Sequence, residues 1–166
     1  MSGSTEWRTP PDVYNALAGE FGGFTLDGAA SHENALHWRY CTKEGLFLKD
    51  RDGGYEQLSD HDGLTVSWNY ESVFCNPPYS PAATLAAFVE KASTSAKQGA
   101  LVVMLLNVAS DTRWFHRHIW DDKLHRPRER VELRLLAGRI RYHGILNTPI
   151  PSPRYANMIV VFHPWD

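Results

Sequence analysis

The sequence predicts an α/β fold in which helices cover an open, doubly wound sheet. Three observations carry the prediction. Residues 101–106 form a near-continuous apolar run, which suits a central parallel strand covered on both faces. Val73-Phe74-Cys75 is a shorter apolar run that ends on Asn76-Pro77-Pro78 and leads into a helical pattern. Residues 131–136 alternate, with Val131, Leu133 and Leu135 separated by Glu132 and Arg134, as in a half-buried strand.

Asn76 stands where the second of these strands runs out. Neither Pro77 nor Pro78 can donate to a ladder, so pairing stops there. Pro78 also drives Pro77 out of the helical region, which stiffens the turn. Ser80 is placed as an N-cap and Pro81 as the first helical residue. The helix that follows spans 82–98, with Leu85, Phe88, Val89 and Ala92 on one face and Gly99 as its stop. Asn76 and Tyr79 are thereby held at the carboxyl end of a strand, where open α/β sheets bind ligands. Turns of Asn and Pro are also common in a purely structural role.

Composition narrows the class. With 166 residues, 43% hydrophobic, the chain is about one globular domain with a real core. We expect a single domain over 5–166 after a loose terminus at 1–4. The net charge of −2 gives no global hint of a polyanion partner. The charge is unevenly spread, however. Residues 1–62 hold 11 acidic and 5 basic side chains, while 111–143 hold 9 basic and 5 acidic. The basic segment is compatible with a phosphate-facing surface or with a solvated face. The polar N-terminus is no signal peptide, and no apolar run reaches membrane-spanning length. Two cysteines without metal-type spacing fit a reducing cytoplasm.

From the N-terminus, Thr9 is a cap candidate, Pro10 the first helical residue and Asp12 a favourable charge at the positive helix end. Val13, Leu17 and Phe21 recur at four-residue spacing, and Gly22-Gly23 ends the helix. The amides at its start suit an anion. Residues 24–26 read as a short first strand with Asp27 at its carboxyl end. Small residues follow, which permit close backbone approach where nucleotide-like cofactors meet such a sheet. The alternative is an Asp that caps the next helix. Residues 49–62, polar and rich in Gly and Asp, read as a mobile loop or small insertion.

Beyond the central strand, Asn107 opens a polar loop that ends in Asp111-Thr112-Arg113-Trp114-Phe115-His116. Arg113 is placed to meet a phosphate. Trp114 either stacks on a base or anchors a helix in the core. Residues 131–136 and 139–142 read as two strands about Ala137-Gly138, with Arg139 and Arg141 on one face of the second. These arginines meet phosphate or belong to an exposed charged strand. Residues 147–154, with three prolines, form a loop, and 157–162 closes the sheet.

Several of these stretches carry a resemblance. Asn76-Pro77-Pro78-Tyr79 resembles the catalytic tetrapeptide of amino-methyltransferases that use S-adenosylmethionine. Glu6-Trp7-Arg8-Thr9-Pro10, Leu26-Asp27-Gly28-Ala29-Ala30 with Asn34-Ala35, and Asp111-Thr112-Arg113-Trp114-Phe115-His116 resemble motifs of the phage-type DNA N6-adenine methyltransferase (Dam) family, in the family's order. The resemblance runs from Glu6 to Phe162. It implies a compact Rossmann-like methyltransferase sheet, mostly parallel with an antiparallel C-terminal end. It also implies methyl transfer from S-adenosylmethionine to adenine N6 of DNA in a bacterial or phage-infected cytoplasm. Asn76, Pro77, Pro78 and Tyr79 are then catalytic. The two oxygens of Asn76 and Pro77 would take the amine's hydrogens, and Tyr79 would stack on the flipped base. Trp7, Thr9, Pro10, Asp27, Ala29, Asn34 and Asn76 would hold the cofactor. Arg113, Trp114, Arg139 and Arg141 would meet DNA. Gly28 departs from the family's more frequent Ala.

Without a separate target-recognition domain, sequence discrimination falls to loops or to a homodimer, or is loose. The rival readings are methylation of RNA or of a protein glutamine amide, and a catalytically silent nucleic-acid-binding module. His116, His118 and His125 match no ligand spacing, and no metal is expected.

Overall fold

The computed structural model describes residues 8–140 and 155–166. Its elements are, in chain order, α1 (Pro11–Phe21), β1 (Leu26–Asp27), β2 (Arg39–Thr42), β3 (Gly45–Lys49), β4 (Tyr55–Ser59), β5 (Ser72–Cys75), α2 (Ala82–Ala96), β6 (Leu101–Asn107), α3 (Arg113–His118), β7 (Trp120–Asp121), β8 (Arg126–Pro127), β9 (Val131–Leu135) and β10 (Asn157–Phe162). Eight strands form one sheet in the order β4-β3-β2-β1-β5-β6-β10-β9, and β7-β8 is a separate hairpin.

The centre of the sheet, β2-β1-β5-β6, is parallel. The expected antiparallel C-terminal end is present, because β10 runs against both β6 and β9. A second antiparallel edge, β3 and β4, flanks the other side. From β1 the chain moves outward to β2, then returns past β1 to β5. The strand order therefore reverses between β1 and β5, the kind of crevice where ligands bind in open α/β sheets.

Alternation along the strands divides the core in two. Val103 and Leu105 of β6, Ile159 and Val161 of β10, and Phe74 of β5 pack with Tyr14 and Leu17 of α1. Val102, Met104, Leu106, Val160, Phe162 and Cys75 point the other way, onto Leu85, Phe88, Val89 and Ala92 of α2 and Trp114 and Phe115 of α3. This is why residues 101–106 are apolar without a break. Both faces of β6 are covered, so neither parity can be polar.

Local details differ from the sequence expectation. Pro10 is the N-cap of α1 and Pro11 its first residue, one position later than expected. Thr9 makes no capping bond, because its hydroxyl is engaged elsewhere. Likewise Pro81, not Ser80, is the N-cap of α2. The first strand is Leu26–Asp27 rather than 24–26, because pairing with β5 begins at Leu26 opposite Val73. Within the stretch read as a mobile loop, Tyr55–Ser59 is a strand. Asp50 makes that possible by accepting from the amides of Asp52 at 2.9 Å and Gly54 at 2.8 Å. Almost all of β4 faces solvent, so no apolar periodicity betrays it. Among the described residues, Arg139 and Ile140 are not in a strand. The rest of that expected strand, like the 147–154 loop up to Arg154, lies outside the described residues.

Candidate active site

Four adjacent strands, β1, β5, β6 and β10, bring a polar residue to the same rim of the sheet. These are Asp27, Asn76, Asn107 and Asn157. Asn107 and Asn157 are direct partners in the β6–β10 ladder. Asp27 is level with Phe74, and Gly28 donates its amide to the Phe74 carbonyl at 2.8 Å. Parity places all four on the α1 side. Phe74, Leu105 and Ile159 face α1, and Asn76, Asn107 and Asn157 lie two residues from them. Leu26 faces the opposite layer, so Asp27 faces α1.

Asn76 confirms this placement. Its Nδ2 donates to Thr9 Oγ1 at 2.9 Å, immediately before α1. Thr9 is buried at 6% exposure. Asn76 Oδ1 is sealed from solvent and has no hydrogen-bond partner among the described residues. An unpaired buried acceptor costs about 1–3 kcal/mol, and such groups in a fold call for an explanation. With Nδ2 on the Thr9 hydroxyl, the oxygen is the end of the carboxamide left for a donor. The residue as a whole is half-buried at the rim.

Pro77 is buried and Pro78 half-buried, which keeps the corner stiff. The Tyr79 hydroxyl donates to the Leu105 carbonyl at 3.3 Å, and its half-buried ring packs against the main core. That bond ties the tetrapeptide to the strand that carries Asn107.

Asp27 is 3% exposed. Its oxygens accept from the amides of Leu36 at 3.1 Å and Ala29 at 3.4 Å. Burial outweighs these bonds and pushes its carboxyl up to about 7. No salt bridge neutralises it among the described residues. A buried carboxylate with spare acceptor positions and no counter-charge suits a cationic group. Tyr14 stands nearby on α1. Its phenol is pushed up to about 12, first by burial and then by the Asp27 charge. Both thiols are buried, and burial raises Cys41 to about 12 and Cys75 well above the ordinary range. A thiolate nucleophile is therefore not on offer at neutral pH.

The other expected site residues fall in different places. Pro10 is buried, and its carbonyl accepts from Val13 and Tyr14 at the start of α1. Asn34 turns its carbonyl inward to the Ser31 amide at 2.7 Å, so it shapes the loop beside Asp27. Arg113 is exposed at the first position of α3. Trp114 is 9% exposed in the main core, and its burial supports the helix anchor over base stacking. Arg139 is exposed. Trp7 and Arg141 lie outside the described residues. Outside that expected set, Trp68 is fully buried against Phe88 and is a core residue. Tyr14, Asn107 and Asn157 went unrecognised in the sequence. A signal for the two asparagines exists: each adjoins an apolar run at its rim end, as Asn76 does.

A family model described as DNA N-6-adenine-methyltransferase (Dam) matches residues 2–165. The chain belongs to this family. It is similar to the DNA N-6-adenine-methyltransferase of Escherichia phage T1, with 31% identity over 109 residues. That match covers 66% of this chain and 38% of the phage protein, well under half of the relative. Membership in the Dam family implies a methyl donor. Among the described residues no three His, Cys, Asp or Glu side chains are grouped to hold a metal ion. No helix among them is long and apolar enough to cross a membrane.

Proposed function

We propose that this Dam-family protein transfers a methyl group from S-adenosylmethionine to the exocyclic N6 of adenine in DNA. The observation that carries the reading is the Asn76 oxygen, unpartnered among the described residues, on a carboxamide whose nitrogen Thr9 holds at the strand-order reversal in a chain of this family. An aryl amine is a poor nucleophile while its lone pair is delocalised into the ring. Asn76 Oδ1 and the Pro77 carbonyl accept its two hydrogens and turn the lone pair out of conjugation. Because the corner is rigid, little reorganisation accompanies transfer. S-adenosylmethionine, when bound, supplies an electrophilic methyl group on sulfur.

Asp27 fits the amino group of that cofactor, being a buried carboxylate without a counter-charge among the described residues. Trp7, Thr9, Pro10, Ala29 and Asn34 complete the proposed cofactor side. The adenine leaves the base stack to reach Asn76, with Tyr79 against its ring. Arg113, Arg139 and Arg141 face phosphate. Sequence discrimination falls to loops or a homodimer.

The test is incubation with a methyl-labelled donor and DNA, followed by nucleoside analysis. N6-methyldeoxyadenosine is expected, and Asn76→Ala should abolish it while circular dichroism stays unchanged. Label found only in RNA or protein, or full activity in Asn76→Ala, would overturn the reading.

A further inference from the structure

We infer that Asn107 makes a second contact to the target base, donating through Nδ2 to a ring nitrogen beside the amine held by Asn76. The inference rests on the base-binding role proposed for Asn76.

The argument starts from a donor whose direction has no ambiguity. A backbone N–H can only donate. The Ile140 amide donates to Asn157 Oδ1 at 3.1 Å. Asn157 is 1% exposed, and its orientation is set by this bond. Its Nδ2 therefore points the other way, and donates to Asn107 Oδ1 at 3.1 Å. The Asn107 oxygen is then taken. What Asn107 turns away from Asn157 is its Nδ2, which has no hydrogen-bond acceptor among the described residues. The chain of bonds converts an ambiguous carboxamide into a defined donor.

Placement makes this donor relevant. In the parallel β5–β6 pair, Cys75 is level with Met104. Asn76 is thus level with Leu105, and Asn107 lies two residues further along the neighbouring strand, on the same face. The spacing corresponds to roughly 8 Å between α-carbons, a span that two Asn side chains can bridge onto one base. Asn107 is half-buried at the rim, beside the Asn76 carboxamide and away from Asp27, with β5 between them.

The pair has a chemical meaning. Asn76 presents an acceptor and Asn107 a donor. Adenine and cytosine carry an amine donor beside a ring-nitrogen acceptor, which matches. On the Watson–Crick edge guanine and thymine carry a carbonyl beside a ring N–H, which opposes both; on the N7 edge guanine's carbonyl still opposes Asn76. A site built to bond both groups rejects a base that leaves them unpaired.

The experiment measures methyl transfer by the full chain to DNA containing adenine, 1-deazaadenine or 7-deazaadenine at the target. Each analogue replaces one candidate ring nitrogen by C–H. The wild type should lose about tenfold in kcat/KM on one of the two analogues. Asn107→Ala should lose a similar factor on adenine, mainly in KM, and nothing further on that analogue. Asn107→Asp keeps an acceptor for Asn157 but presents an acceptor to the base, and should be poorer than Asn107→Ala. A wild type indifferent to both analogues, or an Asn107→Ala variant penalised as heavily as the wild type, would overturn the inference while leaving Asn76 in place. No transfer to unmodified adenine by the wild type would instead overturn the parent reading, and this one with it.

Discussion

Thr9 and Asn76 are joined by a 2.9 Å hydrogen bond across 67 residues of chain. The hydroxyl accepts from Nδ2, and Oδ1 is left as the free end. Thr9→Val keeps the shape and removes the acceptor. Transfer should fall roughly tenfold, as expected for loss of one orienting bond of ordinary strength. Thr9→Ser should recover most of it. Both variants should unfold within a few degrees of the wild type. Wild-type turnover in Thr9→Val would show that Asn76 is oriented by something else.

Asp27 makes two pH predictions. Its carboxyl is raised from 3.8 to about 7 because burial penalises the charge. A raised folded value means that the contribution to stability is fully present below about pH 4 and is lost as pH rises through 7. The loss is on the order of 4 kcal/mol. Without ligand, the difference in stability between Asp27→Asn and wild type should therefore widen in the variant's favour from pH 4.5 to pH 8, by urea denaturation. S-adenosylmethionine should show the opposite trend, binding more tightly to the wild type as pH rises and the carboxylate ionises. Calorimetry that finds the same pH dependence in Asp27→Asn would remove Asp27 from the cofactor site.

Gly28 sits against Trp68. A Cβ built on Gly28 would lie 2.7 Å from a Trp68 ring carbon and 3.1 Å from a second, and Trp68 is fully buried. Gly28→Ala should therefore destabilise the protein by about 1–3 kcal/mol through overpacking. Trp68→Phe removes the ring carbons in question. In the double variant the cost of the added methyl should largely vanish. Additive costs in denaturant would show that the strain arises elsewhere.

His116 latches the β7–β8 hairpin to the loop after β6. Nδ1 meets Asp122 at 2.6 Å and Nε2 meets the Ser110 carbonyl at 2.6 Å. Both partners are acceptors, so the protonated ring satisfies both. The Asp122 bond first, and the Ser110 bond second, raise its pKa above 6.5. The latch is complete below that value and loosens as pH rises through the folded pKa. An NMR titration should place His116 above 6.5, and Asp122→Asn should lower it. A midpoint at or below 6.5 in the wild type would contradict the geometry.

The sequence by itself determined the central strands and the corner. An apolar run halted by Asn76-Pro77-Pro78 is a strand end whatever surrounds it, because the prolines remove the donors that pairing needs. The same logic applied to Asn107 and Asn157, which stand beside runs of their own, yet what they do there was not legible. Whether a polar residue at a strand end is a ligand, a cap or a staple depends on its neighbour across the sheet, and register is not written locally. β4 escaped notice because a strand with almost nothing to bury leaves no periodicity. Only the tertiary structure decided that Thr9 leaves the helix cap to hold Asn76. It also decided that Trp114 turns into the core and that Asp27 stands buried without a counter-charge among the described residues. Each of those outcomes is a hydrogen bond or a burial between segments far apart in the chain, and the free energy that sets it exists only once the sheet has closed.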